Sequence, residues 1–159
     1  MSRYIGCISE NGRSIKGGNK MRKSTFNYIK EILSDYPRIE EYIKQREEEL
    51  RYPYRENDLN SGIKGSGAGY NAQDSLMITI EQDQRLAALE RNKRIVSNLL
   101  EECCEDTKTI IQELYMRRMP KYTIQGLITN NLIFVGRTKA FELRDWFFLQ
   151  VAKDLNLTI

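Results

Sequence analysis

Apolar residues recur three and four apart over most of the chain, the spacing of helices packed on one side. Phe26, Ile29, Ile32 and Leu33 follow Ser24 and Thr25, which predicts a first helix with a hydroxyl N-cap. Tyr36-Pro37 interrupts or kinks it. Pro37 suits a first helical position, and Ile39, Tyr42, Ile43, Arg46 and Leu50 carry a second stretch to about Arg51, where Tyr52-Pro53-Tyr54 stops it. Residues 57–73, NDLNSGIKGSGAGYNAQ, lack any period and read as a flexible linker. Asp74 or Ser75 caps a long helix through Leu86, Leu89, Val96, Leu99, Leu100 and Cys103. Leu89, Val96 and Cys103 recur every seven residues, too short a run for a coiled coil and in keeping with a packed core helix. The acidic cluster Glu101, Glu102, Glu105 and Asp106 marks the end of that helix and the start of another. This next helix runs from about Asp106 to Arg118, with Ile110, Ile111, Leu114 and Tyr115 inward and Arg117 and Arg118 in its last turn before Pro120.

From Thr123 the chain reads helix, turn, helix. Thr123 caps a short helix whose apolar positions are Ile124, Leu127 and Ile128. Asn130-Asn131 and the Leu-Ile-Phe-Val run that follows make the turn, and Gly136 opens a longer helix over 137–156. At about 100° per residue, Ala140, Leu143, Phe147 and Val151 share one stripe. Thr138, Lys139, Phe141 and Glu142 lie opposite it, with Arg137 at the tip. From Trp146 to Val151 the helix is apolar nearly all round, and a helix apolar on all sides is buried on all sides. Either residues 26–50 dock on this end or two copies meet there. The fold class is therefore all-α: a helical N-terminal segment at 21–56, the linker at 57–73, and a long helix leading into a C-terminal helix-turn-helix at 74–159.

Composition narrows the chemistry. The 159 residues suffice for one ordinary domain or two small ones. A mean hydropathy of −0.58, with no apolar run near membrane-spanning length and no signal-peptide pattern, predicts a soluble chain that does not enter a membrane. Three cysteines (Cys7, Cys103 and Cys104) cannot build a disulfide framework, and point to the cytoplasm. Histidine is absent, which removes Ser-His-Asp and Cys-His nucleophiles, HExxH sites and zinc fingers together. The glycines of the linker lack the Lys-Ser/Thr and the preceding strand of a phosphate loop. Cys103 and Cys104 are neighbours that point apart on a helix and read as small buried side chains, not metal ligands. The expectation is a protein that is not an enzyme and uses no cofactor and no metal. Residues 1–20 are expected to be a disordered leader. Lys-Gly-Gly-Asn-Lys at 16–20 is what an in-frame ribosome-binding site would encode, so synthesis is expected to start at Met21.

Charge gives the direction of the functional reading. Arg3, Arg13, Lys16 and Lys20 against Glu10 supply the whole net charge of +3, so residues 21–159 balance. Within them, Lys108, Arg117, Arg118, Lys121, Arg137, Lys139 and Arg144 face only Glu113 and Glu142 between Thr107 and Arg144. Positive charge gathered at one end suits an anionic partner there. The layout of the last helix is that of a recognition helix, its first turns turned out to a groove and its apolar stripe held by the helices before it. Arg137, Thr138, Lys139, Phe141 and Glu142 are the expected base-facing residues. Lys121, Thr123 and Arg144 are placed to meet phosphates.

The chain resembles the RinA-like and ArpU-like transcriptional activators of Gram-positive phages and prophages over most of residues 21–159. The matching features are KSTFNYIKEIL at the start, Tyr-Pro-Tyr-Arg-Glu-Asn-Asp at 52–58, the long helix at 74–104 and Thr-Ile-Gln-Gly at 123–126, together with Val-Gly-Arg-Thr-Lys-Ala…Leu…Lys-Asp-Leu between 135 and 155. This C-terminal part is also similar to the fourth region of bacterial sigma factors. The resemblance implies a protein of the host bacterial cytoplasm that binds promoter double-stranded DNA and activates late phage genes, with host RNA polymerase as a second partner and a homodimer as an allowed state. Its recognition positions fall on Arg137, Thr138, Lys139, Phe141 and Glu142. The turn at 130–136 is longer than usual in such motifs, and Phe134 stands near the place of a small polar residue. Two other readings fit the helical pattern: a small-terminase-like packaging subunit, and a helical adaptor that binds only protein.

Overall fold

The computed structural model describes residues 21–52, 77, 79 and 83–158, and the regular structure among them is all helical. The elements are α1 (Lys23–Asp35), a 3₁₀ turn (Tyr36–Arg38), α2 (Ile39–Arg51), α3 (Gln84–Glu102), α4 (Glu105–Ile111) continuing as a π-helical turn (Gln112–Met116), α5 (Ile124–Thr129) and α6 (Arg137–Asp154). The leader at 1–20, the linker at 57–73, Tyr54, Cys7 and the proposed caps Asp74 and Ser75 lie outside the described residues.

The chain divides into two compact units, Arg38–Lys93 and the remainder. In the first of these, α2 is tied to the start of α3 by polar contacts. Asp83 precedes α3, and its Oδ1 accepts from the Leu86 backbone N–H at 2.7 Å, so Asp83 caps this helix. The same carboxylate takes both arms of the Arg46 guanidinium, from Nη2 at 2.7 Å and Nε at 3.2 Å. The Arg46 guanidinium holds the Asp83 carboxyl down at about 2, with the Leu86 amide adding to the effect. Lys93 meets Glu40 at 2.8 Å. Among the described residues here, Ile39 and Leu86 are the buried apolar side chains.

The other unit holds two hydrophobic clusters. The larger one gathers Ile29, Ile32 and Leu33 from α1, Val96, Leu99 and Cys103 from the α3 end, Ile111 from α4, and Phe147, Phe148, Val151 and Ala152 from α6. Phe26 stacks on Phe148 with ring centroids 4.5 Å apart, and Tyr115 meets Phe148 edge-on at 5.0 Å. The smaller cluster joins Ile110, Ile124, Leu127, Ile133 and Ala140. Ile110 and Ile111 are adjacent and fully buried, one in each cluster, so α4 is a wall shared by both.

Several helix boundaries depart from the sequence expectation. Ser24 and Thr25 do not cap α1, because the helix has begun by Lys23, with Arg22 in the cap position and no side-chain bond there. Thr25 is buried instead, and its hydroxyl donates to the Thr158 carbonyl at 2.7 Å, pinning the irregular segment after α6 to α1. The helix expected from Asp106 to Arg118 changes to π geometry at Gln112 and is over by Arg117, whose backbone is extended. The described α3 starts behind Asp83. Thr123, by contrast, caps α5 as expected, accepting from the Gly126 amide at 3.2 Å. The expected docking of the N-terminal segment on the apolar end of α6 is met by α1, although Trp146 keeps 39% of its surface exposed.

Candidate nucleic-acid interface

The site is built on α4, α5 and α6 around the smaller cluster. α5 ends on Asn131, whose φ of 54° reverses the chain: its own amide bonds to Ile128 O at 3.0 Å, and the Leu132 amide bonds to Leu127 O at 2.9 Å. Asparagine tolerates this left-handed conformation better than most residues. The connection then continues through bends at Leu132 and Val135, with Ile133 buried and Phe134 87% exposed. Asp106 holds this stretch, its Oδ1 accepting from the Phe134 amide at 3.1 Å. Gly136 occupies the cap position of α6.

Ala140 is fully buried against α5, which leaves no space between the helices there and fixes the rotation of α6. Arg137, Thr138, Lys139 and Glu142 are exposed as a result, and Phe141 is half-buried. Lys139 and Glu142 pair at 3.4 Å across one turn, an exposed contact worth little. The Arg137 guanidinium sits 5.9 Å from the centre of the Phe141 ring. Lys121 is exposed on the strand of chain leading to α5. Thr123 is exposed too, but its hydroxyl oxygen is occupied by the cap bond.

Arg144, like Phe141, is half-buried. Its guanidinium lies 4.9 Å from the Phe141 centroid and 5.9 Å from that of Phe26, and it bonds Asp145 Oδ1 through Nε at 2.8 Å. Burial pushes the Tyr115 hydroxyl up, and the neighbouring Arg144 charge partly offsets this. Arg144 thus spends part of its bonding capacity inside the protein.

An open groove here is lined by Lys30, Tyr122, Gln125, Arg137, Phe141 and Arg144 among others, with no carboxylate among the described residues that line it. The structure brings Thr123, Arg137, Phe141 and Arg144 together on that lining, while Thr138, Lys139 and Glu142 continue the exposed face along α6. Lys30, Tyr122 and Gln125 were absent from the sequence-derived set. Tyr122 and Gln125 flank the Thr123 cap and could have been found from it. Lys30 has no local signal, since only the packing of α1 on α6 carries it there. Chemically the groove offers guanidinium, ammonium, hydroxyl and amide donors, a set for anionic oxygen and not for a metal ion. Among the described residues no cluster of carboxylates, cysteines or histidines could hold a metal, and no helix is long and apolar enough to cross a membrane.

A family model described as a protein of unknown function, DUF722, matches residues 26–151. No curated protein and no solved structure matches the chain.

Proposed function

The chain belongs to the DUF722 family, and we propose that it is a sequence-specific DNA-binding transcription regulator. On this reading α5 and α6 form a helix-turn-helix, and α6 enters the major groove of promoter DNA by its N-terminal turns. The supporting observation is the rotation of α6: with Ala140 buried, Arg137, Thr138, Lys139 and Glu142 stand outward on the first two turns. Arginine and lysine there suit guanine edges, threonine suits several bases, and glutamate accepts from cytosine. The half-buried Phe141 backs Arg137, and on this reading its ring meets a thymine methyl. Lys121 and Thr123 lie beside the phosphate backbone, with Arg144 behind them. The likeness to RinA-like and ArpU-like activators extends the proposal to late phage promoters and to host RNA polymerase as the second partner.

The test is a gel shift of the full chain against fragments of the genome that encodes it, with competitor DNA and at two salt concentrations. One fragment retarded in the presence of competitor supports the reading, with a log–log salt slope of about −0.9 per phosphate contact. A map position at a promoter indicates activation, and one at a packaging site indicates a terminase-like role. No retardation at low salt overturns DNA binding and leaves a protein adaptor.

A further inference from the structure

The groove beside α6 is lined on one side by Lys30 of α1. Lys30 follows Phe26 by one helical turn, so it lies on the same side of α1 as the ring that stacks on Phe148. That stacking fixes where α1 sits against α6 and carries Lys30 to the groove lining with Arg137, Arg144 and Gln125. Lys30 is exposed and Arg137 is exposed, and neither has a carboxylate partner among the described residues. Cations held near one another without neutralising acids repel, and an anion placed between them relieves that repulsion. Arg144 differs, being paired with Asp145 and braced by Phe26 and Phe141, which makes it a rigid floor. Tyr122 and Gln125 add a hydroxyl and an amide to the lining.

We propose that this groove seats a backbone phosphate of the bound duplex, and that Lys30 of α1 is a direct phosphate contact outside the helix-turn-helix. The inference rests on the DNA-binding reading and extends the contact surface to a helix remote in sequence. A phosphate contact positions the protein without reading sequence. Loss of Lys30 therefore weakens binding to every DNA alike, whereas loss of a base-reading residue weakens the specific fragment selectively.

The experiment compares the full chain with Lys30→Gln and Lys153→Gln, measuring dissociation constants on the specific fragment and on bulk DNA over a salt series. Lys153 is an exposed lysine about 24 Å further along α6 than Arg137, at 1.5 Å per residue, and controls for the loss of one charge. Lys30→Gln is expected to weaken binding to both DNAs roughly three- to tenfold and to make the salt slope shallower by about 0.9. Lys153→Gln should leave the slope unchanged. A Lys30→Gln slope and affinity equal to those of Lys153→Gln overturn the inference while leaving DNA binding standing. A wild-type chain that binds no DNA at low salt overturns both. Unchanged thermal unfolding of Lys30→Gln excludes misfolding as the cause of a loss.

Discussion

The two halves of α6 carry opposite relations to solvent. From Arg137 to Leu143 the helix touches the protein along one narrow stripe, centred on Ala140, and shows the rest of its surface outward. From Phe147 to Asp154 it packs on α1, the end of α3 and the π turn: four of its residues, with Leu155 just past its end, are buried in the larger cluster, and Lys153 and Asp154 face outward. The burial of the second half fixes the axis of the helix. The first half then has its direction in space determined without needing apolar surface of its own, which frees its side chains for another task. Small size at the contact matters as much as apolarity: alanine at 140 lets α5 approach, where a larger residue would push it away.

The contrast can be broken most severely from the enclosed half. Phe147→Ala or Phe148→Ala should cost about 3–5 kcal/mol of stability, read by denaturant unfolding, because each deletes a fully enclosed ring. Leu127→Ala, in the smaller cluster, should cost about 2–4 kcal/mol and loosen the seating of α5 on α6. Arg137→Ala sharpens the contrast from the other side. Its stability should stay within about 0.5 kcal/mol of wild type, while binding to the specific DNA falls by roughly 1–3 kcal/mol if the guanidinium grips a guanine. Thr123→Ala removes the α5 cap and should cost about 1 kcal/mol. The smallest effect lies away from α6 and is an acid one. Asp83 has its carboxyl held at about 2, below the ordinary 3.8. Its contribution is therefore complete above about pH 4–5 and is lost as pH falls through 2. Exchange of the Leu86 amide, relative to its intrinsic rate, should quicken over that interval, and Asp83→Asn should remove the acid dependence.

Much of this architecture was legible because it depends on near neighbours. The Thr123 cap, the Asn-Asn reversal, the opening of α6 at Gly136 and the Ala140–Phe147–Val151 stripe all follow from spacings within a few residues. What escaped depends on distant partners. Thr25 looks like a cap in sequence, but its hydroxyl is taken by a carbonyl 133 residues away. Asp83 went unnoticed because helical spacing upstream of Leu86 hid the start behind it, and because its second partner, Arg46, comes from α2. Arg144 reads as one more outward cation, since nothing local says that Phe26 of α1 will stand beside it. Lys30 is the same case reversed, an ordinary exposed helix residue until α1 docks.

The outward side chains at 137, 138, 139 and 142 contribute almost nothing to holding the molecule together. On the proposed reading, this separates what the protein recognises from whether it folds. Substitutions at those four positions would alter the preferred DNA sequence at a folding cost within about 0.5 kcal/mol. A lineage of such chains could follow a drifting promoter by exchanging a handful of surface residues, with Ala140, Phe147 and Phe148 kept as they are. The same separation makes α6 a practical place to install a new target sequence, with the unfolding midpoint serving as the check that nothing underneath has moved.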